Sequence, residues 1–439
     1  MTTFRHVGLV VLAIATFTLP ARAIDIQEVT SPGGINAWLV EETSIPFTAL
    51  EIRFKGGAAL DRDGKRGAVY MMNGLLEEGA GDLDATAFAA EVESLAAGFD
   101  FDVYDDSFAI SARFLTENRD DAVALLRTVL TEPRFDQEAI DRVRSQVISI
   151  LGSNENDPQK IASQTFDELA FGTHPYASIK EGTIESVSAL TRDDIVNAYS
   201  DVFARDRIVV GAVGDISATE LGELLDTLLG DVAATGAPLP ERAPYLLDGG
   251  KTVIDFNTPQ SVAVFGHEGI ARNDPDFFPA YVMNQVLGSG GFGSRLMEEV
   301  REKRGLTYGV YSWLLPLDNA ELVMGQLASS NDKIAEAIEV IKSEWARLAQ
   351  NGISAEELAD AKTYLTGAYP LRFDGNGTIA RILAGMQMDG LPISYIDTRN
   401  DKVNAVTQED IMRVANRLLQ PENLHFVVVG QPEGLISSN

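Results

Sequence analysis

Apolar and polar positions along this chain follow two periods in turn, and the succession occurs twice. Residues 187–214 read VSALTRDDIVNAYSDVFARDRIVVGAVG and residues 403–430 read VNAVTQEDIMRVANRLLQPENLHFVVVG, 216 residues apart with no gap. In each copy a Thr precedes apolar residues spaced three and four apart, which predicts a capped amphipathic helix. A polar turn follows, then a β-branched run ending in Gly, which predicts a strand. Tyr70-Met-Met-Asn73 is echoed by Tyr281-Val-Met-Asn284, and the segment after Phe135 by the one after Ile353, at offsets of 211 and 218. Echoes in a constant order with little drift indicate an internal duplication.

Each half reads as strand, helix pair, strands, two or three helices and a final strand. That order predicts an α+β fold of two homologous domains, each an antiparallel-rich sheet covered by helices on one side. GDVAATGAPLPERAPYLLDGG, residues 230–250, has no sustained period and joins the halves. The expected division is a leader over 1–23, a first domain over 24–232, a linker over 233–252 and a second domain over 253–439.

The leader changes the picture of where the chain works. Arg5 and His6 precede an apolar run from Val7 to Leu19, then Pro20 and Ala21-Arg22-Ala23. This pattern predicts a cleaved secretory signal, with cleavage after Ala23 and a periplasmic product. Its removal takes away Arg5 and Arg22 but no acid, so the formal charge moves from −30 to −32. Such an excess repels nucleic acid and anionic lipid. No later apolar run is long enough to span a bilayer, so no stable membrane insertion is expected. The chain has no Cys, which excludes disulfides, thiolate metal sites and Cys nucleophiles.

Motif-like stretches mostly read as structure. GSGGFG over 288–293 fits a dinucleotide fingerprint in letters, but a helical segment rather than a strand precedes it; it reads as a turn with Ser294 as the following cap. Glu77, Glu78, Asp82 and Asp84 form an acid-rich loop opening a helix. Past the leader the only histidines are His174, His267 and His425, too far apart to pair as metal ligands on one helical face. What remains is a charged segment, SRLMEEVREKRGLTYGVYS over 294–312, in which Arg301 and Tyr308 stand seven residues apart.

With that segment, GAVYMMNG (67–74), TEPRFD (131–136), NDP (156–158) and FGTHPY (171–176) stand in an order that resembles the M16 (pitrilysin/insulinase-like) peptidase family over nearly the whole chain. The resemblance implies two domains per subunit, subunits closing as half-shells around a chamber, and a zinc held by H-x-x-E-H with a third Glu far downstream. Here Tyr70, Asn73 and Gly74 stand at the motif positions, and Ile150 or Leu151 where the third ligand is expected. Phenol, amide and aliphatic carbon supply neither ligands nor a general base, so no cofactor is expected in this chain. The resemblance further implies that Arg301 and Tyr308 contact the substrate carbonyl or its oxyanion. It implies a heterodimer with a zinc-bearing paralogue, and a peptide laid along an edge strand within 97–105, here Phe99, Phe101 and Val103. The alternative reading is a catalytically inert homologue that serves structure or holds peptide.

Overall fold

A computed structural model describes residues 24–438; the expected leader lies outside them. The first half is built on β1 (Gln27–Thr30), β2 (Asn36–Glu41), β3 (Phe47–Lys55), a small hairpin of β4 (Gly79–Ala80) and β5 (Leu83–Asp84), β6 (Gly98–Val103), β7 (Ser107–Leu115) and β8 (Ile208–Gly214). The second half contributes β9 (Gly250–Asp255), β10 (Gln260–Glu268), β11 (Gly309–Pro316), β12 (Glu321–Ser330) and β13 (His425–Gly430). β9 starts at Gly250, so the last residues of the expected linker belong to the second sheet.

The first sheet runs β1-β2-β8-β3-β7-β6 and the second β11-β12-β10-β13-β9. Read from opposite ends, these are the same sheet, with β1 an addition to the first. β2–β8 and β13–β9 are the parallel pairs, and the other neighbours are antiparallel. The duplication seen in the residue pattern is therefore a duplication of topology.

Each sheet buries one face under helices of its own half. In the first, helices such as Arg119–Thr131 and Gln137–Asn154 enclose Phe54, Phe108, Phe114 and Leu126. In the second, Ile334–Asn351 and Gln408–Leu418 enclose Phe265, Trp345 and Phe426. Thr191 and Thr407 cap the two repeat helices alike, each accepting a hydrogen bond from the backbone of an Asp three residues on.

The expectation of helices on one side only needs correction, because each sheet's other face carries one helix from the opposite half. Helix Pro158–Phe171 lies on β10 and β13, with Ala162, Phe166 and Ala170 against Val264, Val427 and Val429. Its repeat counterpart, Asn376–Met388, lies on β3 and β8, with Ala380 and Leu383 against Ala49 and Val213. A sheet of alternating strands buries both faces only when something covers the second one. Here the halves cover each other by reciprocal exchange.

Candidate functional site

The first wall is helix Ala68–Leu75. Gly67 (φ 95°) leads into it, and the Asp61 carboxylate accepts from the backbone N–H of Gly67 and of Val69, both at 2.8 Å. Burial pushes the Asp61 carboxyl up to about 6 despite the nearby Arg66. Tyr70 is half-buried, and burial followed by the charge of Glu181 raises its hydroxyl above the usual range. Asn73 Oδ1 is enclosed without a hydrogen-bond partner, and Gly74 is open to solvent. The neighbouring helix Gln137–Asn154 turns Val143, Val147 and Leu151 inward, leaving Ile150 41% exposed on its outer side. Among the described residues no three His, Cys, Asp or Glu side chains converge on a point. The groups present at this wall do not fit zinc.

The expected peptide-contacting strand is β6, and it is a true edge, paired only with β7. Its side chains alternate strictly. Phe99, Phe101 and Val103 are 6%, 8% and 4% exposed and point into the core, while Asp100 and Asp102 face solvent. The three apolar side chains therefore offer no surface to a peptide. What the strand presents is its backbone edge and two carboxylates.

Arg301 and Tyr308 belong to the second half. The expected ordinary helix here is wound as π-helical turns over Gln285–Ser289 and Met297–Glu302. Gly288 is required, since a Cβ there would lie 2.1 Å from Ser312 Oγ. Ser294 Oγ accepts from Met297 N at 3.4 Å, a long cap. The Arg301 guanidinium lies 4.6 Å from the ring centre of Phe292, itself 71% exposed. Its Nη1 has no hydrogen-bond partner, although Glu302 Oε1 is 3.4 Å away. Glu299 braces the turn from beneath, accepting from Lys303 Nζ at 2.8 Å and Arg304 Nη1 at 2.6 Å, contacts that hold its carboxyl down to about 2. Gly305 (φ 60°) ends the turn, and Thr307 Oγ1 donates to Ala328 O at 2.6 Å. Tyr308 is then 83% exposed at the head of β11, the free edge of the second sheet. The two sets of residues sit on separate cores: Ala68–Leu75 packs on helices 137–154 and 192–202, Met297–Glu302 on helix 334–351 and β11.

Among the described residues the three histidines are engaged in structural contacts. His267 Nδ1 bonds Glu268 O at 2.7 Å and its Nε2 accepts from Trp345 Nε1 at 3.1 Å. His425 bonds Gly249 O and Thr252 Oγ1. His174 accepts from Tyr176 N and reaches Glu241 O in the linker at 3.0 Å. The sequence reading missed what the FGTHPY loop holds. Tyr176 donates to Asp106 in the β6–β7 turn, and its hydroxyl accepts from Asn319 N at 3.1 Å in the β11–β12 turn. Equivalent turns of the two halves thus meet on one tyrosine. The acidic loop also resolves into structure, with Asp84 capping helix Ala85–Ser94 and Glu78 paired to Arg142.

Two sheets of one topology that exchange cover helices define a two-domain fold, with the ligand-poor wall in the first domain and the braced Arg/Tyr turn in the second. The pattern described as Insulinase (Peptidase family M16) matches residues 38–183, and that described as Peptidase M16 inactive domain matches residues 189–365. The chain belongs to peptidase family M16. It is 27% identical over 426 residues to the non-peptidase homolog YmxG of Helicobacter pylori, covering 96% of this chain and 98% of that protein. An uncharacterized zinc protease of Streptomyces coelicolor is 24% identical, over 90% of this chain and 87% of its own. The crystal structure of a peptidase M16 inactive domain from Pseudomonas fluorescens superposes with a TM-score of 0.87 at 28% identity, covering 94% of this chain and 99% of that one. A Helicobacter pylori protease shares the fold at a TM-score of 0.84 and 18% identity, covering 93% of this chain and 100% of its own.

Proposed function

We propose that this chain is a metal-free M16 homologue that serves as the non-catalytic subunit of a periplasmic two-chain zinc peptidase. Arg301 and Tyr308 would reach the partner's cleavage site and bind the substrate carbonyl or its oxyanion. One observation carries this reading: two hydrogen-bond donors stand unpartnered or exposed on a turn braced by the buried Glu299 carboxylate and its Lys303 and Arg304 partners. Preorganised donors of this kind stabilise charge that develops only in the transition state. The wall at Tyr70, Asn73 and Gly74 supplies no ligands, so zinc and the water-activating base would come from a paralogue carrying H-x-x-E-H.

The test is coexpression with such a paralogue and an assay on a fluorogenic peptide. Loss of one donor should lower kcat by about 10²-fold, and Arg301→Ala and Tyr308→Phe should each do so with the complex still assembled. Unchanged turnover in both variants removes the catalytic role. It would favour the second reading, an inert structural or peptide-holding homologue. That reading draws on the stacking of Arg301 on Phe292, which a purely packing role would also explain, and on the name of the Helicobacter pylori relative.

A further inference from the structure

The duplication lets each feature of the first half be compared with its counterpart in the second. Helix Phe277–Asn284 corresponds to Ala68–Leu75, and Ala355–Ala368 to Gln137–Asn154. At the offsets of 211 and 218 set by the residue pattern, Tyr281 takes the place of Tyr70, and Tyr369 that of Leu151. Where the first half has its ligand-poor wall, the second has a cavity of about 270 Å³.

Its lining is cationic in a strongly acidic chain. Arg399, 4% exposed, lies 4.6 Å from the ring centre of Tyr369 and 5.5 Å from that of Tyr281. Its Nη1 donates to Leu365 O at 2.7 Å and Asn400 Oδ1 at 2.9 Å, and its Nη2 to Tyr281 Oη at 3.2 Å; Nε takes no part in these bonds. Arg272 stacks 4.3 Å from Phe277 and donates to Tyr395 Oη at 2.8 Å. Arg372 stands exposed on the turn Pro370–Arg372 at the rim. The one carboxylate in the lining, Asp389, is 3.5 Å from Arg272 Nε and 49% exposed. Three guanidinium groups against one carboxylate leave a positive surplus, with Arg272 and Arg399 held on aromatic faces.

Guanidinium groups match a planar carboxylate through paired N–H donors, and stacked arginines keep that geometry at little entropic cost. The surrounding rings would receive an apolar or aromatic substituent beside the carboxylate. We propose that this cavity binds a carboxylate bearing such a substituent, from either the C terminus of a peptide or a free carboxylic acid. The inference concerns this chain alone and is independent of the partnered activity above.

The experiment is titration calorimetry of the full mature chain, without any partner. N-acetylphenylalanine is the probe, its amide is the neutral control, and the protein is compared with Arg372→Glu. The rim position is chosen because it is exposed, and circular dichroism with a melting curve checks that the variant folds. Saturable binding of the acid is expected, weakened about tenfold or more by amidation and by Arg372→Glu. No saturation below about 10 mM, equal binding of the amide, or an unaffected Arg372→Glu protein would overturn the proposal. Tighter binding of acetyl-Ala-Ala-Ala-Phe than of acetyl-Phe would identify the peptide C terminus as the source. Equal binding would identify the free acid.

Discussion

Two carboxyls raised by desolvation show how the same shift has different consequences. Burial pushes Asp167, on an exchanged helix, up to about 7, with Asp105 and Glu168 adding to the rise. A carboxyl with a folded pKa above its unfolded value stabilises the fold when protonated. Its contribution is full below about pH 4 and is lost as pH rises through 7. Asp167→Asn should therefore stabilise the chain at pH 8 by on the order of 2 kcal/mol and change little near pH 4. Urea unfolding at the two pH values measures this, and equal stability at pH 8 would contradict it. Asp61 is also raised, to about 6, but its two oxygens accept from Gly67 N and Val69 N. An amide would lose one of those acceptors, so no comparable gain is expected there. Residue identity was legible in the sequence: that Tyr70, Asn73 and Gly74 stand on one short helix needed no coordinates. Residue environment was not, because the burial of Asp167 depends on which segments pack over it.

At the scale of elements, the capped repeat helices and the strands that follow them were readable from periodicity. The winding of residues 285–302 was not. A π-turn keeps the same apolar pattern, and the close approach of Gly288 to Ser312 within the first of them is a tertiary contact. The exchanged helices were equally hidden, since an amphipathic face does not name the sheet it will cover. Gly211 marks that contact: a Cβ on it would stand 2.3 Å from Ala380 O. Gly211→Ala should push helix Asn376–Met388 off its sheet and cost about 2–3 kcal/mol. Gly152→Ala, inside helix Gln137–Asn154 with nothing near its Cβ, should instead stabilise by up to about 1 kcal/mol. Thermal melts of the two variants shifting in the same direction would refute this account of the packing.

For the whole molecule, the linker is less of a boundary than its composition suggests. Ala49, Val213 and Trp38 lie under a helix supplied from beyond residue 375, and the FGTHPY loop joins the hairpins of both halves through Tyr176. Residues 24–249 alone would leave that sheet face bare. This fragment should bind a hydrophobic dye and self-associate, whereas the full chain should melt in one transition. A monomeric, dye-silent fragment with native-like circular dichroism would show that the exchange is dispensable.

What the sequence settled by itself was the duplication, the α+β class and the Arg301–Tyr308 spacing, because each is carried by residue identity or by local periodicity. Only the tertiary structure decided that Phe99, Phe101 and Val103 face inward, that the halves trade helices, and that Arg272, Arg372 and Arg399 gather around one cavity. Those outcomes depend on contacts between residues far apart in the chain, and no local pattern encodes which distant surface a side chain will meet.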